Sequence, residues 1–310
     1  GTTVGLGLVS EDGKVKEKKS LSTASLKDRS LFFACIVDYL QKIVNKGIPI
    51  LGIGVGAPGI IDVKKGFIFE LTNIAGWTEI PFSKLLREKT GYPVFIDNDV
   101  NVIALAEYMY GAGKGSKNMV CLTLGTGVGG GLILNKKLYH GTSLNAGEIG
   151  HYTISNAKNA PLCGCGNRGC LEAFIGNRRI VEYAQKMVNK NRGSLLLKLA
   201  NGDKEKLTPK LIAEAASKGD KISQEIWKYV GDCLGIVLAG TINLLNPDKI
   251  VIGGGVSKAG KILFAHIRES TRSRALRVPF EAVEIVSGKL GGKAGIIGGA
   301  TLVFEKMKRR

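Results

Sequence analysis

The sequence lacks several features that would place it in familiar classes of protein. It has no GxxxxGK[ST] motif, which excludes a P-loop nucleotide site, and it has none of the protein-kinase signatures. No window comes near 18 uncharged apolar residues, so no membrane span is predicted. The chain also starts without methionine: residues 1–3 run directly into an apolar stretch, residues 4–9. We therefore expect it to begin inside a motif, with any upstream segment or domain outside this sequence.

What is present fits a larger α/β protein with a basic surface. At 310 residues the chain is long enough for two domains, each with its own core. It carries 44 Lys and Arg against 26 Asp and Glu, a net charge of +18. Most lysines are interspersed with acidic residues, and the compact basic run is residues 306–310. This pattern favours a solvated surface over a nucleic-acid site, and it suits anionic nucleotides.

Six cysteines divide into a cluster and three isolated residues. Cys35, Cys121 and Cys233 lie in apolar surroundings, which predicts reduced core residues and a cytoplasmic protein. The other three fall in residues 147–172, a segment that also contains a histidine. The combined set is His151, Cys163, Cys165 and Cys170.

Three thiolates and one imidazole make the closed tetrahedral set of a structural zinc site. The alternatives are a disulfide, which leaves one cysteine over, or free thiols. Two carboxylates flank the set, Glu148 and Glu172, and a metal here would fix both in position. Either nitrogen of His151 is a possible ligand, and the other is then free to hydrogen-bond a carboxylate or a bound molecule.

Two glycine-rich segments of the chain match each other. Residues 1–8 (GTTVGLGL) and residues 125–132 (GTGVGGGL) share Gly, Thr, Val, Gly, Gly and Leu at equivalent positions. Each continues into a polar turn, at residues 10–13 and 135–137, and then into a second strand. The pattern predicts two β-hairpins in a duplicated domain with a cleft between its halves. Such hairpins present backbone N–H groups to phosphates. Two unrelated glycine-rich turns are the alternative.

Apolar periodicity predicts helices and strands that alternate along the chain. Helices are predicted over residues 24–46, from the polar run 97–101 to 110, and over residues 177–185, 211–216, 222–245, 262–273 and 294–308. Strands are predicted over residues 48–55, 93–96, 118–124, 248–252 and 282–286, with a turn at residues 56–59.

Polar or glycine residues at the carboxyl ends of these strands are candidate site residues, because ligands collect there in α/β sheets. Gly59 and the triple glycine 253–255 allow close approach to a ligand, although a plain turn would also explain the latter. Residues 97–101 contain four polar side chains at a strand-to-helix junction, where an N-cap needs only one. Asp99 is the preferred candidate for chemistry. Trp77 either covers a sugar face or is packed in the core.

The segment GEIGH followed by CGCGNRGCLE resembles the signature of the ROK family (repressors, open reading frames and kinases). The resemblance extends over essentially the whole chain. It implies the actin-like ATPase or hexokinase-like fold, a duplicated α/β architecture of two lobes around a cleft. The expected lobes are residues 1–112 with 293–310, and residues 113–292.

The same resemblance implies a role for each candidate. Asp99 would be the catalytic base, ATP would be used with Mg²⁺, and the four-ligand set would hold structural zinc. Sugar hydroxyls would be bound by Asn98, Asp99, Glu148, His151 and Glu172. ATP would be bound by Gly1, Thr2 and Thr3, which are similar to the end of a D-x-G-G-T motif, by Gly125, Thr126 and Gly127, and by Gly253, Gly254 and Gly255.

The implied function is phosphorylation of a hexose at its 6-hydroxyl, with glucose as the first choice. Fructose, N-acetylglucosamine and N-acetylmannosamine kinases of the family share these residues, and a sugar-responsive repressor is the alternative from another class. The intact set of glycine hairpins and Asp99 favours the enzyme. The family also implies a homodimer or dimer of dimers.

Overall fold

The computed structural model describes residues 3–23, 28–71, 76–191 and 193–308. Its strands are β1 (Thr3–Val9), β2 (Val15–Ser22), β3 (Ile53–Ala57), β4 (Ile60–Asp62), β5 (Phe67–Glu70), β6 (Thr78–Ile80), β7 (Val94–Asn98), β8 (Met119–Leu124), β9 (Val128–Leu134), β10 (Lys137–Tyr139), β11 (Lys249–Gly253) and β12 (Glu284–Ser287). Its helices are α1 (Arg29–Val44), α2 (Phe82–Thr90), α3 (Asp99–Tyr110), α4 (Glu172–Ile175), α5 (Asn177–Lys190), α6 (Leu195–Leu199), α7 (Pro209–Ser217), α8 (Lys221–Leu245), α9 (Lys261–Arg272), α10 (Arg277–Ala282) and α11 (Ala294–Lys308). Every predicted helix and strand is present, so the α/β class is confirmed.

In the second half of the molecule, residues 119–287, five strands form one sheet in the order β10-β9-β8-β11-β12. Strand β8 lies at its centre, antiparallel to β9 and parallel to β11. Its side chains alternate between two cores: Met119 and Cys121 pack in the cluster that includes α3, while Val120 and Leu122 pack in the cluster that includes α8. Burial on both faces is why this strand is apolar throughout.

The first half of the molecule, residues 3–98, contains smaller sheets. Strand β1 pairs antiparallel with β2, β3 pairs parallel with β7, and β4, β5 and β6 form an antiparallel sheet. An aromatic cluster fills the core on this side, and Trp77 is part of it, 5.1 Å from Phe32 and 6.2 Å from Phe82 between ring centroids. With only 2% of its surface exposed, Trp77 is packed in the core, which was one of the two alternatives predicted for it.

Both predicted glycine hairpins are present, as β1–β2 and β9–β10. Their glycines make equivalent contacts with two helices. An added Cβ at Gly7 would lie 2.4 Å from Ile296 of α11, and one at the matching Gly131 would lie 2.8 Å from Ala104 of α3. Both distances are shorter than any real contact, so each hairpin needs glycine where a helix crosses it. The shared packing supports duplication over coincidence.

Helix α8 is the one described helix that could cross a membrane by length and composition. Its apolar side chains are used within the fold, however. Trp227, Val230, Leu234 and Leu238 are completely buried in the largest core, where α8 packs along α9 and α7. Core packing therefore accounts for the apolar character of this helix.

Some predicted boundaries are wrong, for local reasons. Strand β3 begins at Ile53, whose N–H donates to the Pro93 carbonyl at 2.8 Å, and not at residue 48. Proline at position 49 has no N–H to contribute to a ladder. The strand continues to Ala57, so the turn begins at Pro58, two residues later than predicted. Helix α1 begins after Asp28, which accepts hydrogen bonds from the first-turn N–H groups of residues 30 and 31. Residues 24–27 of the predicted helix lie outside the described residues.

Candidate functional site

Asp99 is the first residue of α3, at the carboxyl end of β7. The side chain before it, Asn98, caps the helix: its Oδ1 accepts the Val100 N–H at 2.9 Å. That bond leaves the Asn98 amide NH₂ available as a donor. Burial raises the pKa of the Asp99 carboxyl above its ordinary value, against an opposing hydrogen bond from the Val100 N–H. A carboxylate that binds a proton more tightly than usual is a better general base.

Asp97 has a different role from Asp99. It is 1% exposed, and its Oδ1 accepts hydrogen bonds from the Asn98 N–H and the Asn101 amide, both at 2.8 Å. Its Oδ2 is 2.7 Å from Nε2 of His140, just beyond β10. The Asp97 carboxylate therefore faces inward and fastens the β7–α3 junction to the other half. His140 was missed by the sequence analysis, because no spacing or motif links positions 43 residues apart.

The four predicted metal ligands converge. One ligand atom from each of His151, Cys163, Cys165 and Cys170 lies within 4.8 Å of every other. The Cys165 and Cys170 sulfurs are 3.7 Å apart, and Nδ1 of His151 is 3.6 Å from the Cys163 sulfur. A sulfur–sulfur distance of 3.7 Å is far too long for a disulfide, which requires about 2 Å. All six cysteines of the chain are free thiols, which overturns the disulfide alternative.

These distances match a tetrahedral site. With zinc–sulfur bonds of about 2.3 Å and zinc–nitrogen bonds of about 2.0 Å, sulfurs are about 3.8 Å apart and sulfur and nitrogen about 3.5 Å apart.

The thiols are not equivalent without a metal. A hydrogen bond from the Asn167 backbone lowers the pKa of Cys165 to about 7, whereas burial and the neighbouring thiols raise the pKa of Cys170 to about 12. A bound cation would deprotonate both.

His151 lies between the thiols and a carboxylate. Its Nδ1 faces Cys163, and its Nε2 lies 3.7 Å from a carboxylate oxygen of Glu148, which is largely exposed. The ring orientation therefore resolves the two alternatives that the sequence left open. Nδ1 is the nitrogen available to a metal, and Nε2 faces Glu148 and solvent.

Glu172 connects the four-ligand set to the second glycine hairpin. Its Oε2 accepts the Val128 N–H at 2.8 Å, and a Cβ at Gly127 would lie 2.2 Å from the same oxygen. Just after α4, the Asn177 N–H donates to the Gly125 carbonyl at 2.9 Å. This contact explains why residue 127 is glycine: any side chain there would displace the Glu172 carboxylate.

The triple glycine lies beside this hairpin. Gly254 has φ of +89°, and its Cβ would lie 2.2 Å from the carbonyl oxygen of Leu124, the residue before Gly125. Around Gly255 no atom lies within 4 Å of the Cβ position, so its backbone faces open space. The structure thus brings together the predicted phosphate segment 125–127 and the predicted adenosine segment 253–255.

A buried carboxylate at the other end of α3 supports the same region. Glu107 is 3% exposed and accepts backbone N–H groups from Ala112, Lys289 and Leu290 at 2.8–3.1 Å. The loop that it holds is adjacent to Gly253, since a Cβ at Gly288 would lie 3.5 Å from the Cα of that residue. No local sequence pattern marks Glu107, because its partners lie far from it along the chain.

The remaining predicted residues are placed as follows. Thr3 is exposed at the start of β1, and Gly1 and Thr2 lie outside the described residues. Gly59 has φ of +112°, and its Cβ would lie 2.1 Å from the Glu70 carbonyl oxygen. Contact within the fold explains why this residue is glycine, and its approach to a ligand stays a prediction.

Two repeated halves, each with a glycine hairpin, and a carboxylate at a helix start define the actin-like ATPase class with its hexokinase-like members. A family model described as "ROK family" matches residues 1–306, and the chain belongs to that family.

Relatives with different activities share this architecture. A glucokinase of Halalkalibacterium halodurans is 39% identical over 99% of this chain and 93% of its own length. The structure of a ROK family glucokinase from Streptomyces griseus in complex with glucose and AMPPNP has a TM-score of 0.80 and 32% identity, over 96% of this chain and 95% of that chain. A xylose repressor of Caldicellulosiruptor bescii is 31% identical over 90% of this chain, but over only 70% of the repressor.

Proposed function

We propose that this protein is an ATP-dependent hexose kinase that phosphorylates glucose at its 6-hydroxyl. The observation that carries the proposal is Asp99, a carboxylate at the start of α3 whose pKa is raised by burial. Similarity to glucokinases over nearly the whole length of both chains supports glucose and ATP as substrates. The repressor relative matches this chain over a smaller part of its own length.

In the proposed reaction Asp99 accepts the proton of the sugar 6-hydroxyl. The hydroxyl oxygen forms a bond to the γ-phosphorus of ATP while the bond from that phosphorus to the β,γ-bridging oxygen breaks, and ADP leaves. Asp99 then returns its proton to solvent. Because little covalent chemistry is needed from the protein, positioning of the two oxygens in line with phosphorus accounts for most of the acceleration.

Four further side chains are proposed to hold the sugar: Asn98, Glu148, His151 and Glu172. Asn98 offers its amide NH₂, because its oxygen is engaged by Val100. Nε2 of His151 faces away from the thiols and offers one donor beside the Glu148 carboxylate. Glu172 keeps one oxygen on Val128 and has a second oxygen for a hydroxyl. The set thus mixes donors and acceptors, as recognition of a polyol requires.

ATP is proposed to bind along the backbone of three glycine segments: Gly1 to Thr3, Gly125 to Gly127, and Gly253 to Gly255. The second and third segments are adjacent, because Gly254 lies against Leu124, the residue before Gly125. This contact supports one nucleotide that spans both segments. ATP would enter as its Mg²⁺ complex, whose cation neutralises charge on the transferring phosphoryl group. The backbone N–H groups of the hairpins add to that stabilisation.

We propose that His151, Cys163, Cys165 and Cys170 hold a structural zinc ion. Its role would be to fix the segments that carry Glu148 and Glu172, since four protein ligands leave no open position for water. Cys165→Ala should release the metal and weaken sugar binding, measured as zinc per chain and as the Kd for glucose. Cys233→Ala, which changes a buried cysteine of the core outside the cluster, is the matched control. Unchanged zinc content in Cys165→Ala would contradict the assignment.

The larger organisation is proposed on the same basis. The two lobes would be residues 1–112 with 293–310 and residues 113–292, and the protein would work in the cytoplasm as a homodimer or dimer of dimers. Exposed apolar side chains support a contact between copies: Leu244 lies in the last turn of α8, Leu276 precedes α10, and Val278 lies within α10, each at least 65% exposed. Light scattering that gives a monomer mass at micromolar concentration would count against the dimer.

The test is a coupled ADP-release assay on the protein with its natural N-terminus. It would contain Mg-ATP and one sugar at a time: glucose, mannose, fructose, N-acetylglucosamine or N-acetylmannosamine. We expect the highest kcat/KM with glucose, and a kcat lower by about 10²–10⁴-fold in Asp99→Asn. Turnover confined to an amino sugar or fructose would keep the kinase and replace its substrate. If calorimetry detects sugar binding but no sugar is phosphorylated, the kinase proposal is wrong and a sugar-responsive repressor is favoured.

A further inference from the structure

His140 lies where the two halves of the molecule meet. It is the residue after β10, and its side chain is 21% exposed. Nε2 of the ring is 2.7 Å from Oδ2 of Asp97, a residue of β7 that is 1% exposed. Because an ionised carboxylate only accepts hydrogen bonds, Nε2 is the donor in this contact. A charge-assisted hydrogen bond thus joins two segments that are 43 residues apart in sequence.

The other oxygen of Asp97 secures the segment that carries the proposed base. Oδ1 accepts hydrogen bonds from the Asn98 N–H and from the Asn101 amide, both at 2.8 Å. Asn98 in turn caps α3, whose first residue is Asp99. These bonds hold the β7–α3 junction without help from His140. Loss of the imidazole would therefore leave Asp99 in place, since only Oδ2 of the neighbouring carboxylate loses its partner.

The main chain of His140 secures the segment that leads to Glu148. Its carbonyl oxygen accepts the Ala146 N–H at 2.9 Å, which closes residues 140–146 into a loop. A Cβ at Gly141 would lie 3.2 Å from the Cβ of Ala146, so the two ends of the loop are in contact. Glu148 follows the loop by two residues. Displacement of His140 therefore displaces the start of the segment that carries Glu148.

A second contact holds the same segment against the sheet. A Cβ at Gly147 would lie 2.6 Å from the carbonyl oxygen of Gly130, so the chain lies directly on β9 just before Glu148. This packing is made by backbone atoms, and it lacks a side chain that would resist sliding along the strand. The hydrogen bond of His140, in contrast, is directional. If packing on β9 were sufficient, removal of the imidazole would not change sugar affinity.

We infer that His140 is a positioning residue of the proposed sugar site. It acts through Asp97. Its imidazole keeps Glu148, on one side of the site, at a fixed distance from Asn98 and Asp99 on the other, so that one hexose reaches both sides. Groups held at a fixed spacing bind more tightly, because binding does not have to order them first. The inference rests on the proposed function, since it concerns the sugar site of that function.

Loss of the imidazole should weaken sugar binding and spare the chemical step. In His140→Ala we expect the Kd and the KM for glucose to rise about 10-fold, with kcat within about 3-fold of the wild type. The reason is that Glu148 would hold ring hydroxyls equally in the ground state and the transition state, whereas Asp99 keeps its position on α3. The KM for ATP should not change, because the proposed ATP segments lie on other strands. A merely destabilised fold would lower the active fraction, and hence kcat, without this separation of KM from kcat.

Two amide variants separate the hydrogen bond from the loss of a side chain. Glutamine carries an NH₂ group to about the place of Nε2, while asparagine carries the same group one methylene short of it. We expect His140→Gln to restore the Kd for glucose to within about 3-fold of the wild type, and His140→Asn to bind as weakly as His140→Ala. Tyr139→Ala, which removes a neighbouring side chain that is 48% exposed, is the matched control and should bind glucose as the wild type does. Wild-type affinity in His140→Asn and His140→Ala would overturn the inference, and so would a lower kcat with unchanged KM.

Hydrogen–deuterium exchange tests the positioning without turnover. Amides of residues 141–149 should exchange about 10-fold faster in His140→Ala than in the wild type and return to the wild-type rate in His140→Gln, with β8 and β11 as the internal reference. Unchanged exchange in His140→Ala would overturn the inference. A wild type that binds no sugar of the panel would refute the proposed function and the inference together. A wild type that binds glucose no more tightly than His140→Ala would refute the inference alone.

Discussion

Asp97 and Asp99 are two residues apart at one junction, yet their environments differ sharply. Asp97 is 1% exposed and its carboxylate receives hydrogen bonds from Asn98, Asn101 and His140. Asp99 lies at the start of α3, where burial raises its pKa. The comparison teaches that two carboxyls of one motif can differ in their hydrogen-bond partners, and this difference supports Asp99 over Asp97 as the proposed base. One is committed to structure, and the other is left able to take a proton.

The largest expected effect comes from making the same change at both positions. Asp99→Asn should lower kcat by about 10²–10⁴-fold, the contribution of a general base, while glucose binding by calorimetry stays nearly unchanged. Asp97→Asn should retain most of the turnover per folded molecule, because it alters a structural contact. Comparable loss of kcat in both variants, with both fully folded, would remove the distinction between them.

A second prediction concerns stability and reverses the order of the two residues. Asp97→Ala leaves the Asn98 N–H, the Asn101 amide and His140 without their acceptor in a buried site. We expect the free energy of unfolding to fall by about 3 kcal/mol, as when a buried charged hydrogen-bonding group is removed. Asp99→Ala should change it by less than about 1 kcal/mol, as for a group outside such a network. Urea denaturation measures both.

The contact with His140 gives that prediction an internal control. In a double-mutant cycle of Asp97→Ala and His140→Ala, the two changes should be non-additive by about 1–3 kcal/mol, because the residues are in direct contact. Additive effects would mean that the 2.7 Å contact does not stabilise the junction between the halves.

The sequence predicted that Asp99 lies at a strand-to-helix junction, but not that burial raises the pKa of its carboxyl. Four polar residues at a strand-to-helix junction are a local signal, and so is the Cys-x-Cys-x4-Cys spacing with His151. By contrast, the pairing of Asp97 with His140 is made by tertiary packing between the ends of β7 and β10, and no local pattern encodes it. The orientation of His151 likewise depends on how its segment folds over the thiols. At Gly59 the contact with the Glu70 carbonyl explains the glycine, and this contact too is made by tertiary packing that no local pattern encodes.

The pH dependence of turnover should follow Asp99. Its pKa is raised above the ordinary value of 3.8, and the base acts in its ionised form. We expect log(kcat/KM) to rise with unit slope at pH values below that raised pKa and to level off above it, because kcat/KM reports the pKa of the free enzyme. Asp97→Asn should have the same profile, since its substitution leaves the titrating group in place. A profile that shifts in Asp97→Asn would show that the Asp97 side chain influences the pKa of Asp99.

The smallest effect is on stability, and its sign distinguishes the two carboxyls once more. A carboxyl whose pKa is higher in the folded than in the unfolded state stabilises the fold below the unfolded pKa, near 3.8 for Asp99. This contribution is lost as pH rises through the folded pKa. Asp99→Asn removes the buried charge, so its free energy of unfolding should increase relative to the wild type as pH rises from 3.8 through the raised pKa of the folded state, where the charge forms. Asp97→Asn should remain less stable than the wild type at pH 7, because the new amide places its NH₂ against a hydrogen-bond donor. Urea titrations of the three proteins at a series of pH values measure these differences, and a wild type more stable than Asp99→Asn at pH 7 would contradict the assigned cause of the pKa shift.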